Sequence, residues 1–168
     1  ADTFAYCLLR NHFHFSLRIK TEEEFIKASQ VPNTSGASEG KKKTFNPSRN
    51  FANFFNAYAK AINKGYGRTG SLFEERFGRI PVTSTAYFET LIFYIHYNPQ
   101  KHGFVGDFRD WPWSSYHALT GTGQTELKRD EVLSTFGGLK EFVKFHQGMV
   151  DRKMLAALID EEFEYQTS

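Results

Sequence analysis

Cysteine and long apolar runs are what this sequence most lacks. Its 168 residues include one cysteine, Cys7, which excludes an internal disulfide and a multi-cysteine zinc site. No segment approaches the roughly 20 apolar residues of a membrane-spanning helix, and no signal-peptide pattern opens the sequence. We therefore expect a cytoplasmic protein with no membrane partner, in which Cys7 is a small buried apolar residue.

Acidic residues are scarce in the middle of the chain. The formal net charge is only +2, but residues 41–80 carry nine Lys and Arg against two Glu. This excess indicates a polyanionic partner, with a solvated basic helix face as the alternative. The nine candidate residues for that contact are Lys41, Lys42, Lys43, Arg49, Lys60, Lys64, Arg68, Arg76 and Arg79.

Aromatic residues are abundant, with 18 Phe, 8 Tyr and 2 Trp, and supply bulky core material. Residues 4–20 are typical of one strand whose buried face carries Phe13, Phe15, Leu17 and Ile19. Residues 71–82 also look strand-like. The sequence therefore predicts strands as well as helices.

Seven helices are predicted. A capping box at Thr21 begins a short one that reaches about residue 28, and Pro47 opens one whose aromatic stripe we expect in the core. A helix over 85–97 should end at Asn98-Pro99, because a residue before proline avoids the helical conformation. Shorter helices are predicted from near Trp113 and over residues 130–136, 139–147 and 151–159.

Two histidines share the polar face of the first strand. Side chains two residues apart on a strand point the same way, so His12 and His14 project together. A two-ligand metal site on a sheet requires this arrangement. Two surface histidines are the alternative interpretation.

A second polar pair lies on the 85–97 helix and at its end. Tyr94 and Asn98 are four residues apart and share a helix face. A phenol has an unperturbed pKa of about 10, so as a nucleophile it needs a nearby cation or base. Asn98 could offer a carbonyl oxygen to the same metal. The alternatives are a half-buried helix tyrosine and a helix cap.

Glycines, basic residues and aromatics alternate over residues 64–77. Glycine permits close backbone approach, arginine pairs with phosphate and aromatic rings stack on bases, although an ordinary basic turn has the same composition. The segment 111–116 is a packing and capping element, with Ser114 or Ser115 near a helix start. No acid–base pair accompanies these serines to make a hydrolase triad.

Taken in chain order, these motifs resemble the single-tyrosine HUH transposases, and most closely their REP-associated tyrosine transposase branch. The matching stretches span most of residues 5–140 and are AYCLLRNHFHF, INKGYGRTGSLFEERF, FYIHYNPQKHGFV and DWPWSSY. The resemblance implies that His12 and His14 bind Mg²⁺ or Mn²⁺ and that Tyr94 attacks a DNA phosphodiester, leaving a 5′-phosphotyrosyl link. Asn98 stands where relatives often place a glutamine as a third ligand. The implied partner is single-stranded or hairpin DNA, contacted by the basic residues.

The resemblance also implies an α+β fold, with a ferredoxin-like antiparallel sheet and helices packed on it. This catalytic domain would cover residues 1–120, and residues 121–168 would add a helical C-terminal extension. Relatives have a strand and a helix before the histidine strand, whereas this sequence opens almost directly on it. An uncovered sheet edge would favour pairing with another chain, so a homodimer is one expected state.

Two other functions use the same residues. A domesticated relative would bind a DNA hairpin through its basic middle without cutting it. A zinc hydrolase built on His12 and His14 would need a third protein ligand and a nearby general base, and the sequence supplies no HExxH or comparable set. We expect a transposase with endonuclease activity, with the hairpin-binding protein as the alternative.

Overall fold

The computed structural model describes residues 1–29, 45–74 and 78–148. Within these ranges two strands and several helices follow one another along the chain. They are β1 (Asp2–Leu8), β2 (Phe13–Arg18), α1 (Glu22–Ser29), α2 (Pro47–Gly65), α3 (Thr85–Lys101), a 3₁₀ turn (Phe108–Asp110), α4 (Tyr116–Thr120), α5 (Arg129–Thr135) and α6 (Leu139–Gln147). No helix in the described ranges is long and apolar enough to cross a membrane.

The chain divides into two compact units. One combines residues 1–18 with the chain from residue 78 onward, and the other covers residues 19–77. The first unit holds the two-stranded antiparallel sheet and the helices from α3 to α6, which confirms the α+β class. The ferredoxin-like arrangement and the expected boundary at residue 120 stay predictions.

The expected first strand is a hairpin. β1 and β2 pair antiparallel with Cys7 opposite His14, and the Leu9 N–H closes the turn on the His12 carbonyl at 2.9 Å. The expectation of a buried face on Phe15 and Ile19 is wrong, since these side chains are 40% and 45% exposed. The face with His14 and Ser16 is the inward one because α3 packs on that side of the hairpin.

The core of the first unit lies between the hairpin and helices α3 to α6. Its buried members are Ala5, Cys7, Ile92, Ile95, Phe108, Trp111, Tyr116, Leu119, Val132, Phe136 and Phe142. Burial raises the pKa of the Cys7 thiol to about 12, so the thiol stays protonated and unreactive at neutral pH. Cys7 is a buried apolar residue, as the sequence predicts.

Helix α3 continues past the point where the sequence predicts its end. It includes Asn98 and Pro99 and reaches Lys101. The helix ends at Lys101, and Gly103, whose φ is 71°, follows its cap residue His102. The Gly103 N–H bonds the Gln100 carbonyl at 3.0 Å and the Phe104 N–H bonds the Pro99 carbonyl at 2.9 Å, which is a Schellman motif. The missing N–H of Pro99 costs only one helical hydrogen bond here.

Other helical predictions have mixed outcomes. The capping box is confirmed, because the Thr21 N–H bonds Glu24 at 2.8 Å and the Glu24 N–H bonds the Thr21 hydroxyl at 3.3 Å. The 139–147 helix is confirmed as α6, and α5 matches the 130–136 prediction within one residue. The helix expected from Trp113 begins at Tyr116. The predicted 151–159 helix lies outside the described residues.

Two predictions for residues 47–82 are wrong. No strand forms over residues 71–74 and 78–82, where no described strand offers a pairing partner. No residue of α2 is buried, and Phe54 remains 59% exposed. The α2 ring of Phe55 packs on Phe73 with centroids 5.2 Å apart, so the stripe meets a neighbouring turn instead of a core.

Candidate active site

Tyr94 lies in the middle of α3, the most buried helix of the first unit. Ser84 starts this helix by accepting the Tyr87 N–H at 3.2 Å. Apolar residues on several sides of α3 bury it against the hairpin and the later helices, and Tyr94 is only 3% exposed. The nucleophile candidate is therefore held on a rigid element, not on a loop.

The structure brings the histidine pair to Tyr94 within one chain. The rings of His12 and His14 have centroids 5.1 Å apart and cross at 88°. The His14 ring lies 5.9 Å from the Tyr94 ring at 78°. The hairpin supplies the histidines and α3 supplies the tyrosine, so the contact depends on the packing of α3 on β2.

Both histidines are neutral at neutral pH. Burial, followed by the nearby His12, Lys101 and His102 side chains, lowers the pKa of His14 to about 3. Burial first, and then His102 and Lys101, lower the pKa of His12. A neutral imidazole has one lone pair available to a metal ion, whereas an imidazolium has none.

Asn11 fixes which nitrogen of His12 has that lone pair. The Asn11 Oδ1 lies 2.9 Å from His12 Nδ1. An amide oxygen only accepts, so Nδ1 carries the proton and donates it to Asn11, and Nε2 keeps the lone pair. Metal-binding histidines are commonly oriented by a hydrogen bond of this kind.

Sequence reasoning missed two residues of this cluster, Lys101 and His102. The Lys101 Nζ lies 2.8 Å from the Tyr94 Oη and 4.7 Å from the centre of its ring. The His102 ring lies 5.0 Å from the His12 ring. The helical spacing of Tyr94 and Lys101 was a usable signal, but it is lost when α3 is taken to end at Asn98-Pro99.

Asn98 lies one helical turn after Tyr94 in α3 and is fully buried. Its Nδ2 donates to the Tyr94 carbonyl at 2.8 Å, and its Oδ1 has no hydrogen-bond partner in the described part of the chain. A buried carbonyl oxygen without a partner is costly, so an acceptor site for an ion or water is the ordinary explanation. Asn98 is not a helix-terminal cap, because α3 continues beyond it.

These donors fit a divalent metal as a partial ligand set. The two neutral imidazoles and the orphaned Asn98 oxygen offer nitrogen and oxygen atoms. In residues 1–29, 45–74 and 78–148, no three His, Cys, Asp or Glu side chains are grouped to hold a metal ion. An ion here would thus complete its coordination with water or with phosphate oxygens.

The basic candidates divide between described and undescribed residues. In the second unit Arg49, Lys60, Lys64 and Arg68 are exposed, and in the first unit Arg79 is exposed. Lys41, Lys42, Lys43 and Arg76 lie outside the described residues. Exposure leaves the described five able to meet a polyanion.

A buried polar chain lies on another face of α3. The His96 Nδ1 is 2.9 Å from the His146 Nε2, and the His96 Nε2 is 2.8 Å from the Ser115 Oγ. The His146 Nδ1 is 2.9 Å from the Phe142 carbonyl, and the Tyr6 N–H donates to the Ser115 Oγ at 2.9 Å. Ser115 has a packing role, as predicted, but makes no side-chain cap for α4.

Hydrogen-bond chemistry determines the direction of every proton in this chain. A carbonyl only accepts, so the His146 Nδ1 donates to Phe142 and the His146 Nε2 accepts from the His96 Nδ1. In a neutral His96 the Nε2 then accepts the Ser115 hydroxyl proton at 2.8 Å, and the Tyr6 carbonyl, 3.2 Å from the Ser115 Oγ, is a second acceptor. Burial lowers the pKa of His146 to about 4 and that of His96 well below its usual value, so both rings are neutral. The group is closed to solvent and ties β1 to α3 and α6.

Comparison with known proteins identifies one relative. The chain is 25% identical over 126 residues to a protein of Haemophilus influenzae (strain ATCC 51907 / DSM 11121 / KW20 / Rd) described as "Putative REP-associated tyrosine transposase". The matched region covers 69% of this chain and 59% of that relative, so the chain spans about three-fifths of the relative's length. No protein-family model and no solved structure matches. The chain is thus similar to a REP-associated tyrosine transposase, the group that its ordered motifs resemble.

Proposed function

We propose that this chain is a tyrosine transposase domain that cuts single-stranded DNA beside a hairpin. The observation that carries the proposal is the placement of the Tyr94 ring 5.9 Å from His14, with its hydroxyl held by Lys101. The similarity to the Haemophilus influenzae protein supports transposase function at the level of the family. The cleavage chemistry is our inference from the site.

The proposed reaction exchanges one phosphodiester for another. The Tyr94 Oη bonds to the scissile phosphorus while the bond from phosphorus to the 3′ oxygen breaks, and that oxygen keeps the electron pair. The 3′ oxygen takes a proton from water, and the phenol proton leaves to solvent. The products are a 5′-phosphotyrosyl link and a free 3′-hydroxyl, and the retained ester energy allows strand transfer without ATP.

His12 and His14, with the Asn98 oxygen, would hold the Mg²⁺ or Mn²⁺ ion that the family uses. Such an ion supplies Lewis-acid polarisation of the scissile phosphate. The chain's own contribution is to keep both imidazoles neutral through burial and to fix the His12 tautomer through Asn11. The low exposure of Tyr94 limits access of water to the phenol.

The proposed substrate is a DNA hairpin with an adjacent single strand. Four exposed basic side chains would contact the DNA phosphates and release their counterions. They are Arg49, Lys60, Lys64 and Arg68. A homodimer stays an expectation from the sequence.

The test is formation of a covalent protein–DNA adduct. A labelled hairpin oligonucleotide with a single-stranded flank is incubated with Mg²⁺ or Mn²⁺, and the protein is resolved under denaturing conditions. We expect a labelled protein band that is absent for Tyr94→Phe. Tyr97→Phe is the matched control, because the Tyr97 ring packs on Phe93 of α3 and on Phe108 of the 3₁₀ turn. No band with either metal would overturn the cleavage proposal.

A second candidate is the hairpin-binding protein that does not cut. Two observations favour it: Tyr94 is 3% exposed, and no three-residue metal group exists among the described residues. This function predicts that wild type and Tyr94→Phe bind the hairpin equally and that neither protein forms an adduct.

A further inference from the structure

We propose that Lys101 is a further catalytic residue, whose ammonium holds and stabilises the Tyr94 oxygen during attack on DNA. The inference rests on the proposed cleavage function. It concerns a residue that the metal site does not require. Its basis is the 2.8 Å contact between the Lys101 Nζ and the Tyr94 Oη.

In the contact between Lys101 and Tyr94, one lone pair of the Tyr94 oxygen points at the ammonium group. An ammonium group has three donors and no acceptor, so in this hydrogen bond the Tyr94 oxygen is the acceptor. The phenol proton therefore points away from Lys101. As the proton leaves and the bond to phosphorus forms, negative charge on the oxygen already faces a fixed positive charge.

The surroundings strengthen that charge interaction. Tyr94 is 3% exposed and Lys101 is half-buried, so water screens the pair less than it would at an open surface. The Lys101 Nζ also lies 4.7 Å from the centre of the Tyr94 ring, a distance at which the ring attracts the cation. Both residues belong to one helix face, seven residues apart, so α3 itself sets their spacing.

Lys101 has a simpler possible role at the end of α3. A cation in the last helical turn stabilises the helix dipole by a few tenths to about 1 kcal/mol. In that role its loss would lower stability slightly and leave the cleavage rate of folded protein unchanged. The two roles therefore differ in the rate constant for adduct formation.

The first experiment measures single-turnover adduct formation with saturating hairpin DNA. Lys101→Met removes the ammonium but keeps an unbranched stem, and we expect the rate to fall by about 10²-fold or more. Lys101→Arg restores a cation and should recover much of the rate. DNA affinity should change by less than about threefold, because the cation acts on the reacting oxygen and not on the hairpin. Lys140→Met, an exposed lysine of α6, controls for loss of one positive charge.

The second experiment does not depend on cleavage. In protein labelled with ¹⁵N-lysine, a hydrogen-bonded and half-buried ammonium exchanges its protons slowly enough to give an Nζ signal. We expect such a signal from wild type, assigned by its absence in Lys101→Met, and its loss or broadening in Tyr94→Phe. A circular-dichroism spectrum verifies that each variant is folded, and Lys101→Gln replaces Lys101→Met if the latter is not.

The outcomes separate the two proposals. A wild-type adduct that Lys101→Met and Lys101→Gln form at the wild-type rate overturns the role of Lys101 and leaves the cleavage function standing. An Nζ signal that Tyr94→Phe does not alter overturns the contact itself. Absence of a wild-type adduct overturns cleavage, and the role of Lys101 with it.

Discussion

The Nδ1 of His96 lies 2.9 Å from the Nε2 of His146, and both rings are buried. These residues are fifty positions apart, and the His96 Nδ1–H donates to a His146 Nε2 that carries no proton. Both rings are buried, so a proton added to either would place a charge away from water in the core. The stability of the first unit therefore depends on pH through this pair.

Stability should fall as the pH is lowered below about 6.5. The pKa of His146 is about 4 when folded, below its value in the unfolded chain, so the unfolded state binds more protons between these two values. Through His146 alone, the free energy of unfolding should fall by about 2 kcal/mol over the first 1.5 pH units below 6.5. This decrease should level off below the folded pKa of His146. Urea unfolding at a series of pH values measures this slope. His146→Gln should reduce this slope without abolishing it, because buried His14, whose folded pKa is about 3, contributes over the same range. An unchanged slope in that variant would contradict the assignment.

Ser115→Ala should destabilise the protein by about 3 kcal/mol, because it leaves the Tyr6 N–H and the His96 Nε2 buried without partners. Ser134→Ala, at an exposed position of α5, should change the free energy of unfolding by less than about 0.5 kcal/mol. Denaturant titration of both variants makes the comparison. Equal free energies of unfolding for the two variants would show that the buried hydrogen bonds of Ser115 contribute little to stability.

The sequence predicts best the features that are local. The capping box at Thr21 and the helical period of residues 139–147 each specify structure within a few residues, and both are found. The sequence misplaces the end of α3, because the rule that a residue before proline avoids the helical conformation considers one neighbour only. The six residues of the Schellman motif around Gly103 decide the end instead.

Features that depend on distant packing could not be predicted in the same way. Alternation over residues 12–19 offers two faces, and only the position of α3 decides that His14 faces inward. The same packing brings His14 and Tyr94 together, although 80 positions separate them in sequence. Sequence order and family resemblance suggested these residues as a site, but not Lys101, whose side chain is identified by its contact with Tyr94.

Gly103→Ala should destabilise the protein by about 1 kcal/mol. The φ of Gly103 is 71°, which an alanine adopts only with strain, while no atom lies within 4 Å of the position of a new Cβ. Gly106→Ala is the control, since that Cβ also has open space and its φ is not in the left-handed region. Thermal unfolding of the two variants isolates the cost of the left-handed backbone conformation at position 103. Equal melting temperatures would argue against strain at Gly103.

His12→Ala and His14→Ala should each abolish metal-dependent adduct formation while hairpin binding stays within a few-fold of wild type. The reason is that these imidazoles would hold the metal, whereas the exposed basic residues would hold the DNA. Adduct assays and gel-shift titrations in parallel separate the two effects. His117→Ala, which removes an imidazole bonded to the Arg109 carbonyl, should leave both unchanged. Parallel loss of binding and cleavage at His12 and His14 would instead indicate a structural role.

Hairpin binding should weaken steeply with salt, because contacts with phosphate release condensed counterions. Lys60→Ala and Lys64→Ala remove exposed lysines of α2, and each should reduce the slope of log affinity against log salt by about 1. Lys140→Ala removes the same charge from α6, outside the basic middle of the chain, and should preserve the slope. Fluorescence anisotropy over a salt series gives all four slopes. Equal slopes for the three variants and wild type would place the DNA elsewhere than on α2, and a flat response of wild type would contradict a polyanionic partner altogether.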